Sequence, residues 1–223
     1  MLIMAINFNG TLGKDFLINL FGVELTAVVI DMSSRNIKTI EAETFIGYNN
    51  LELIDFSNNL LETLPDGLLY GLLKLKFINL SYNRIQSFGK VFAEDLTRLR
   101  ELDLSINNLT SISANSFIGL EVLDNLWLDE NQIGTIEPNA FNGLTRLTNL
   151  RLSSNRIVSI ETDTFKYLSN LITLDLSSNQ IATIQPNSFK ALTNLKELDL
   201  RSNPLPSNIN WSEIVNPGVQ VLV

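Results

Sequence analysis

The chain has 223 residues, 45% of them hydrophobic and 18% charged, with 16 basic against 24 acidic side chains and a net charge of −8. It has no cysteine and no histidine, which excludes disulfides, thiolate metal sites, cysteine nucleophiles and imidazole as a general base or metal ligand. The acidic balance repels phosphate backbones and anionic lipid surfaces, so neither nucleic acid nor membrane is an expected partner.

At the amino terminus, Met1 to Ile6 is apolar but no basic residue precedes it, the first lysine being Lys14. It reads as part of the fold rather than as a secretory leader. The best stretch for a membrane span, Phe16 to Ile30, is 15 residues long and carries Glu24, short of the roughly 20 apolar residues needed to cross a bilayer. Ile3, Ile6, Phe8, Phe16 and Phe21 fall on the register of the repeat that follows, with Thr11 in the column that later holds asparagine. Residues 1–23 are therefore expected to form a degenerate turn that caps the first edge of a stack.

From Glu24 the pattern recurs every 24 residues, with units beginning at Tyr48, Leu72, Leu96, Leu120, Leu144, Leu168 and Leu192 and no insertion between them. One column reads Arg35, Asn59, Asn83, Asn107, Asn131, Asn155, Asn179 and Asn203; another reads Phe45, Leu69, Ala93, Phe117, Phe141, Phe165 and Phe189, with Phe92 one place early in the third unit. Each unit opens with a short alternating run such as Leu198-Asp199-Leu200, the signature of a strand, and continues as a tight return too irregular for a long helix. At the turn leaving the strand, the asparagine amide is placed to bond backbone groups that a parallel ladder leaves unpaired. The phenylalanines fill the outer part of each turn. The pattern stops after Leu205 at Pro206-Ser207-Asn208, and Trp211, Ile214, Val219, Val221 and Leu222 offer apolar cover for the far end, so residues 206–223 read as a second cap.

A unit such as Leu144, Leu147, Leu150, Leu152, Asn155, Ile157, Ile160 and Phe165 resembles a leucine-rich repeat. The 24-residue spacing with phenylalanine is similar to the class found mainly in animal extracellular proteins, among them Toll-like receptors, small proteoglycans and Slit-type guidance proteins. The resemblance covers residues 24–205, and weakly 1–23 and 206–223. It implies an α/β solenoid: a right-handed horseshoe with a concave parallel β-sheet and irregular or 3-10 convex returns. Asn203-Pro204-Leu205 followed by Trp211 is similar to the start of that family's carboxy-terminal cap, with Ser207 and Ile209 near where two cap cysteines are expected.

If the paired leucines of each strand point inward, the residues before, between and after them point outward. These columns are Val29, Leu53, Phe77, Glu101, Asn125, Asn149, Thr173 and Glu197; Asp31, Asp55, Asn79, Asp103, Trp127, Arg151, Asp175 and Asp199; and Ser33, Ser57, Ser81, Ser105, Asp129, Ser153, Ser177 and Arg201, with Tyr82, Ile106 and Glu130 just beyond. Among the phenylalanines only Phe77 falls on this face, joined by Trp127 and, at its edge, Tyr82. Exposed aromatics on a rigid sheet are enriched in binding hot spots, though they also serve simply to cover neighbouring strands. Trp127 and Arg151 share a column on adjacent strands, about 4.8 Å apart, a spacing that suits guanidinium stacking on the indole. The stacked aspartates, Asp31 and Asp55 for example, raise the idea of a shared calcium ion. Solvation or pairing with the nearby serines is the simpler role. The sequons at Asn9, Asn79, Asn108 and Asn210 occur about as often as the asparagine, serine and threonine content gives by chance, and do not bear on secretion.

The expected function is non-enzymatic: recognition of a protein ligand by the concave face, through Phe77, Tyr82, Asp103, Ile106, Trp127, Asp129, Glu130 and Arg151. No cofactor and no metal is expected. An apolar middle ringed by carboxylates suits a partner with a basic rim. By resemblance the setting is extracellular, of an innate-immune or adhesion kind; the absence of cysteine favours instead an intracellular or bacterial scaffold, and a carboxylate enzyme is the remote third class. The oligomeric state is not specified by these residues.

Overall fold

The computed structural model describes residues 10–19, 21–89, 92 and 95–223. Of the residues assigned above, Ile3, Ile6, Phe8 and Asn9 near the amino terminus and Ala93 of the phenylalanine column lie outside the described residues. Strand β1 (Thr11–Leu12) and helix α1 (Lys14–Asn19) precede the repeats. The repeats then supply, in order, β2 (Val29–Asp31) and β3 (Thr39–Ile40), β4 (Leu53–Asp55), β5 (Phe77–Asn79), β6 (Glu101–Asp103) and β7 (Ser111–Ile112), β8 (Asn125–Trp127) and β9 (Thr135–Ile136), β10 (Asn149–Arg151) and β11 (Ser159–Ile160), β12 (Thr173–Asp175) and β13 (Thr183–Ile184), and β14 (Glu197–Asp199). Helix α2 (Trp211–Ile214) and strand β15 (Gln220–Leu222) follow.

Nine of these strands form one parallel sheet, in the order β2-β4-β5-β6-β8-β10-β12-β14-β15. Register is locked by the repeat length: Val29 pairs with Leu53, Leu53 with Phe77, and the same offset continues to Glu197. A three-residue strand is far too short to stand alone, so each turn gains its stability from the neighbours on either side. The core is the space between this sheet and the returns. The inward residues Ile30, Ile54, Ile78, Leu102, Leu126, Leu150, Leu174 and Leu198 are all buried there. The returns are built from turns and two-residue strands, paired as β7 with β9 and β11 with β13.

The asparagine column stitches the turns. Asn107 Oδ1 accepts the Ile85 N–H at 2.9 Å, while its Nδ2 donates to the carbonyls of Leu80 (2.9 Å) and Leu104 (3.1 Å). The same set of bonds recurs at Asn59, Asn83, Asn131, Asn155 and Asn179. On the outer side the rings of Phe117, Phe141, Phe165 and Phe189 stack at centroid distances of 5.7–6.2 Å. In the third repeat Phe92 and Phe88 complete that column together, 6.5 and 5.6 Å from Phe117. Gly143 has φ +96°, and a Cβ there would lie 3.0 Å from the Phe117 carbonyl oxygen, so glycine is what lets these returns close up.

At the first edge β1 pairs in parallel with β3, and Leu12 and Leu17 are fully buried against the repeats. Arg35, which replaces asparagine in the first repeat, lies over the Phe21 ring at 5.2 Å. At the other edge β15 pairs with β14, and Lys190 Nζ donates to the carbonyls of Ser212 and Val215 at 2.9 and 2.6 Å, holding α2 in place.

Candidate binding face

Strand alternation places three columns of side chains on the open side of the sheet, and each behaves differently. In the first, Val29, Leu53 and Phe77 are register partners on β2, β4 and β5 and form an apolar row, Val29 and Phe77 being 54% and 36% exposed. The row changes character at Glu101. From there a side-chain ladder runs across the next strands: Thr173 Oγ1 donates to Asn149 Oδ1 (2.6 Å), Asn149 Nδ2 to Asn125 Oδ1 (2.6 Å), and Asn125 Nδ2 to Glu101 Oε1 (3.3 Å). Exposed Val29 and half-buried Leu53 thus extend the apolar surface beyond Phe77, the one residue of this row expected at the binding face. The signal was present in the column itself, which is apolar for three successive strands.

The second and third columns work as a pair. Asp31 Oδ1 accepts from the N–H and hydroxyl of Ser33 at 3.0 and 2.7 Å. Asp103 with Ser105 repeats this at 2.8 and 2.7 Å, and Asp175 with Ser177 at 2.9 and 2.7 Å. Asn79 takes the same role toward Ser81, Asp55 toward the Ser57 N–H, and Asp199 toward Arg201. The aspartate-x-serine phrase is thus a clamp that closes the turn leaving each strand, an Asx-type turn.

Two repeats break the clamp. Trp127 and Arg151 take the place of the aspartate on β8 and β10, and in the fifth repeat Asp129 takes the place of the serine. Asp129 Oδ1 is buried and, among the described residues, has no hydrogen-bond partner. Burial pushes the Asp129 carboxyl above the usual carboxylate range; its own backbone N–H opposes that, the Asp103 charge adds to it, Arg151 opposes it and Glu130 adds to it. Asp199, where the clamp is kept, moves the other way, held down by the Arg201 side chain.

Beyond the third column the chain turns through the left-handed region in every repeat. The column holds Ser34, Asn58, Ser154, Ser178 and Ser202, but in the middle Tyr82 (φ 53°), Ile106 (φ 52°) and Glu130 (φ 52°). A β-branched residue such as Ile106 is strained there, by about 1–3 kcal/mol. The three turns are tied to the neighbouring repeats through the backbone: Tyr82 N–H donates to Ser105 O (3.1 Å), Ile106 N–H to Asp129 O (2.9 Å) and Glu130 N–H to Ser153 O (3.0 Å).

The structure brings Asp103, Ile106, Trp127, Asp129, Glu130 and Arg151 onto three consecutive strands and their turns, Asp103 and Arg151 both being register partners of Trp127. Phe77 and Tyr82 sit one strand further on, with β6 between them and Trp127. Trp127 is half-buried, Arg151 exposed and Tyr82 58% exposed. Among the described residues the cation–π contacts are Arg35 over Phe21 and Lys166 over Tyr167. The Arg151 guanidinium therefore does not stack on the indole as the shared column suggested. Nor does any ion pair of the described residues involve Asp103, Asp129, Glu130 or Arg151.

Family models described as leucine rich repeat match residues 26–85, 97–157 and 145–205, and one described as leucine rich repeats (2 copies) matches residues 73–119. No curated protein matches the chain. Among solved structures, the crystal structure of a TLR13–ssRNA13 complex is similar with a TM-score of 0.76 and 30% identity, over 80% of this chain and 25% of that one. Two structures of the Drosophila Toll–Spatzle complex give TM-scores of 0.72 (glycosylated form) and 0.70 at 24% identity, over 96% and 89% of this chain and 33% and 29% of those chains. The chain thus spans a quarter to a third of the length of the structures it matches.

Proposed function

The chain belongs to the leucine-rich repeat family, and on that premise we propose that it is a non-enzymatic recognition module that binds a protein ligand on its concave face, in an extracellular setting of the innate-immune or adhesion kind. The observation that carries the reading is the loss of the turn clamp in two adjacent repeats, to Trp127 and Asp129 in the fifth and to the exposed Arg151 in the sixth. A folding constraint predicts the opposite. Losing the clamp removes turn hydrogen bonds and leaves a carboxylate oxygen unpartnered, a local cost that makes sense when the surface serves another molecule. The likeness to TLR13 supports a receptor-like role. That protein is recorded with single-stranded RNA, whereas here Asp103, Asp129 and Glu130 outnumber the one nearby cation, Arg151, and oppose a phosphate backbone. The ligand of this face is a protein with a basic rim and apolar anchors, met by Phe77, Tyr82 and Ile106 on one side and Trp127 on the other.

Replacing Trp127 by alanine is expected to weaken partner capture by about 2 kcal/mol or more while leaving the melting temperature close to wild type. Hydrogen exchange on the complex locates the contact: protection of β5 to β10 is the expected result. Protection confined to the convex returns around Phe141 and Phe165 overturns the reading.

A further inference from the structure

We propose that the outer edge of β2 is the seat of the chain's own first residues. Residues 1–3 lie along β2 in parallel at a step of 28 residues rather than 24, which makes the start of the chain a full repeat instead of a shortened cap. The inference stands apart from what the concave face binds.

The register of the described residues carries it. Thr11 pairs with Thr39 and Leu12 with Ile40, a step of 28. The 24-residue spacing of the later repeats would have set Asp15 and Phe16 beside β3, whereas Phe16 is 36% exposed. Carried forward from Leu12, the step of 28 sets α1 opposite the turn at 42–47 and the fully buried Leu17 opposite the buried Phe45. It also sets Val23, packed against the core, opposite Leu51. The extra residues come next: seven positions separate Val23 from Ile30, where three separate Leu51 from Ile54. The difference is taken up at 24–27, a turn closed by the Ala27 N–H donating to the Glu24 carbonyl at 2.9 Å. The insertion thus follows the return, and the residues before it keep the repeat's own spacing.

Carried back from Leu12, the same step sets Leu2 opposite Ile30, Met4 opposite Met32 and Asn7 in the asparagine column opposite Arg35. That is the frame of the later repeats, Leu174, Leu176 and Asn179 for example; Asn9, opposite the buried Ile37, departs from it. At a step of 24 the asparagine column would receive Thr11, which the structure places in β1. The receiving edge suits a strand. The Val28 carbonyl accepts from the Glu52 and Leu53 N–H groups, and the Met32 N–H donates to the Asp55 carbonyl at 2.8 Å. The backbone groups of the alternate residues Val29 and Asp31 therefore face away from β4, along the edge where the nine-stranded sheet ends among the described residues. Ile3 precedes Thr11 by the same eight positions that separate Asp31 from Thr39, so the chain reaches this edge along the path of the later repeats. Seated there, Met1 continues the apolar row of Val29, Leu53 and Phe77 by one strand.

A chain without cysteine lets the register be tested by cross-linking. Ile3→Cys with Asp31→Cys puts two thiols on register partners at the step of 28, with Cα atoms about 4.8 Å apart and within disulfide reach. Asn7→Cys with Asp31→Cys does the same for the step of 24. Under mild oxidation of the folded 223-residue chain, read by peptide mapping, the first pair is expected to close within one molecule at least about tenfold faster than the second, and to lose that advantage in denaturant. In the cysteine-free chain, Leu2→Asp puts a charge at the inward position of the strand. It is expected to speed amide exchange at Val29 and Asp31 at least about tenfold while β5 to β14 keep the wild-type rate. This second measurement decides the matter if a cysteine pair does not fold. Faster closure of the Asn7 and Asp31 pair, equal rates for the two pairs, or unchanged exchange in Leu2→Asp overturns the assignment. Bonds formed mainly between molecules mean that a second copy takes the edge, and overturn it as well.

Discussion

The smallest unit that decides anything in this protein is a single polar side chain that joins its own turn to the one before it. Asn131 is an example: its Oδ1 accepts the Leu109 N–H at 3.0 Å and its Nδ2 donates to the Leu104 and Leu128 carbonyls at 3.0 and 3.1 Å, all buried. Asn131→Ala leaves these backbone groups unpaired away from water, so a loss of about 1–3 kcal/mol is expected in denaturant unfolding. Binding by the remaining folded fraction is expected to be unchanged. Asp129 is the contrary case, a carboxylate with one buried oxygen that has no partner among the described residues. Because its folded pKa is raised, the stability linked to its protonation is fully present below the unfolded pKa and is lost as pH rises through the folded pKa. Asp129→Asn is therefore expected to be more stable than wild type at neutral pH, with the difference shrinking as pH falls through the window between the ordinary carboxylate value and the raised one. Thermal unfolding from pH 4 to 8 reads this out, and a wild-type advantage at neutral pH contradicts it. Asp199, lowered by Arg201, has the opposite slope: its contribution is present above the unfolded pKa and is lost as pH falls through the folded one.

At the scale of elements, the phenylalanine column and the sheet hold opposite sides of each turn apart. Phe165 is fully buried, 5.7 Å from both Phe141 and Phe189 with near-parallel rings. Phe165→Ala empties space that two stacked neighbours cannot fill without bending the stack, and is expected to cost about 3–5 kcal/mol in unfolding free energy. A loss below about 1 kcal/mol would mean that the returns collapse freely, which their tight glycine corners, such as Gly143, oppose. The third repeat shows how far the column tolerates exchange. Phe88 and Phe92 together, 5.2 Å apart, occupy the place that one ring fills elsewhere.

For the whole molecule, stability is a sum over turns and the interfaces between them, so the two ends matter more than their length suggests. The segment holding β1 and α1 covers the first turn: Leu12 pairs with Ile40, and Leu12 and Leu17 are fully buried. Residues 1–23 and 206–223 act, on this proposal, as the caps of a stack that has no disulfide to close it. Deleting residues 1–23 is expected to expose the apolar edge around Ile37, Ile40 and Phe45 and to cause aggregation or a fall of several degrees in melting temperature. A monomeric truncation with unchanged melting temperature removes the cap assignment. No helix among the described residues is long and apolar enough to cross a membrane.

Much of this architecture was legible in the chain itself, because two periods are written there without interruption. Alternation within Leu198-Asp199-Leu200 decides which face each side chain takes, and the 24-residue recurrence decides which residues become neighbours on adjacent strands. Together they place Phe77, Trp127 and Arg151 on one face and the buried leucines, asparagines and phenylalanines on the other. Whether a polar atom finds a partner is a different question. It depends on groups 22 to 27 residues away, as for Asn131, and on side-chain directions that no column records. Only the tertiary structure decided between solvation and serine clamping for the aspartates, and that Arg151 does not stack on Trp127. It also decided that Asp129 keeps an oxygen unpartnered, because satisfaction is a property of positions in space, and the repeat dictates only positions along the stack.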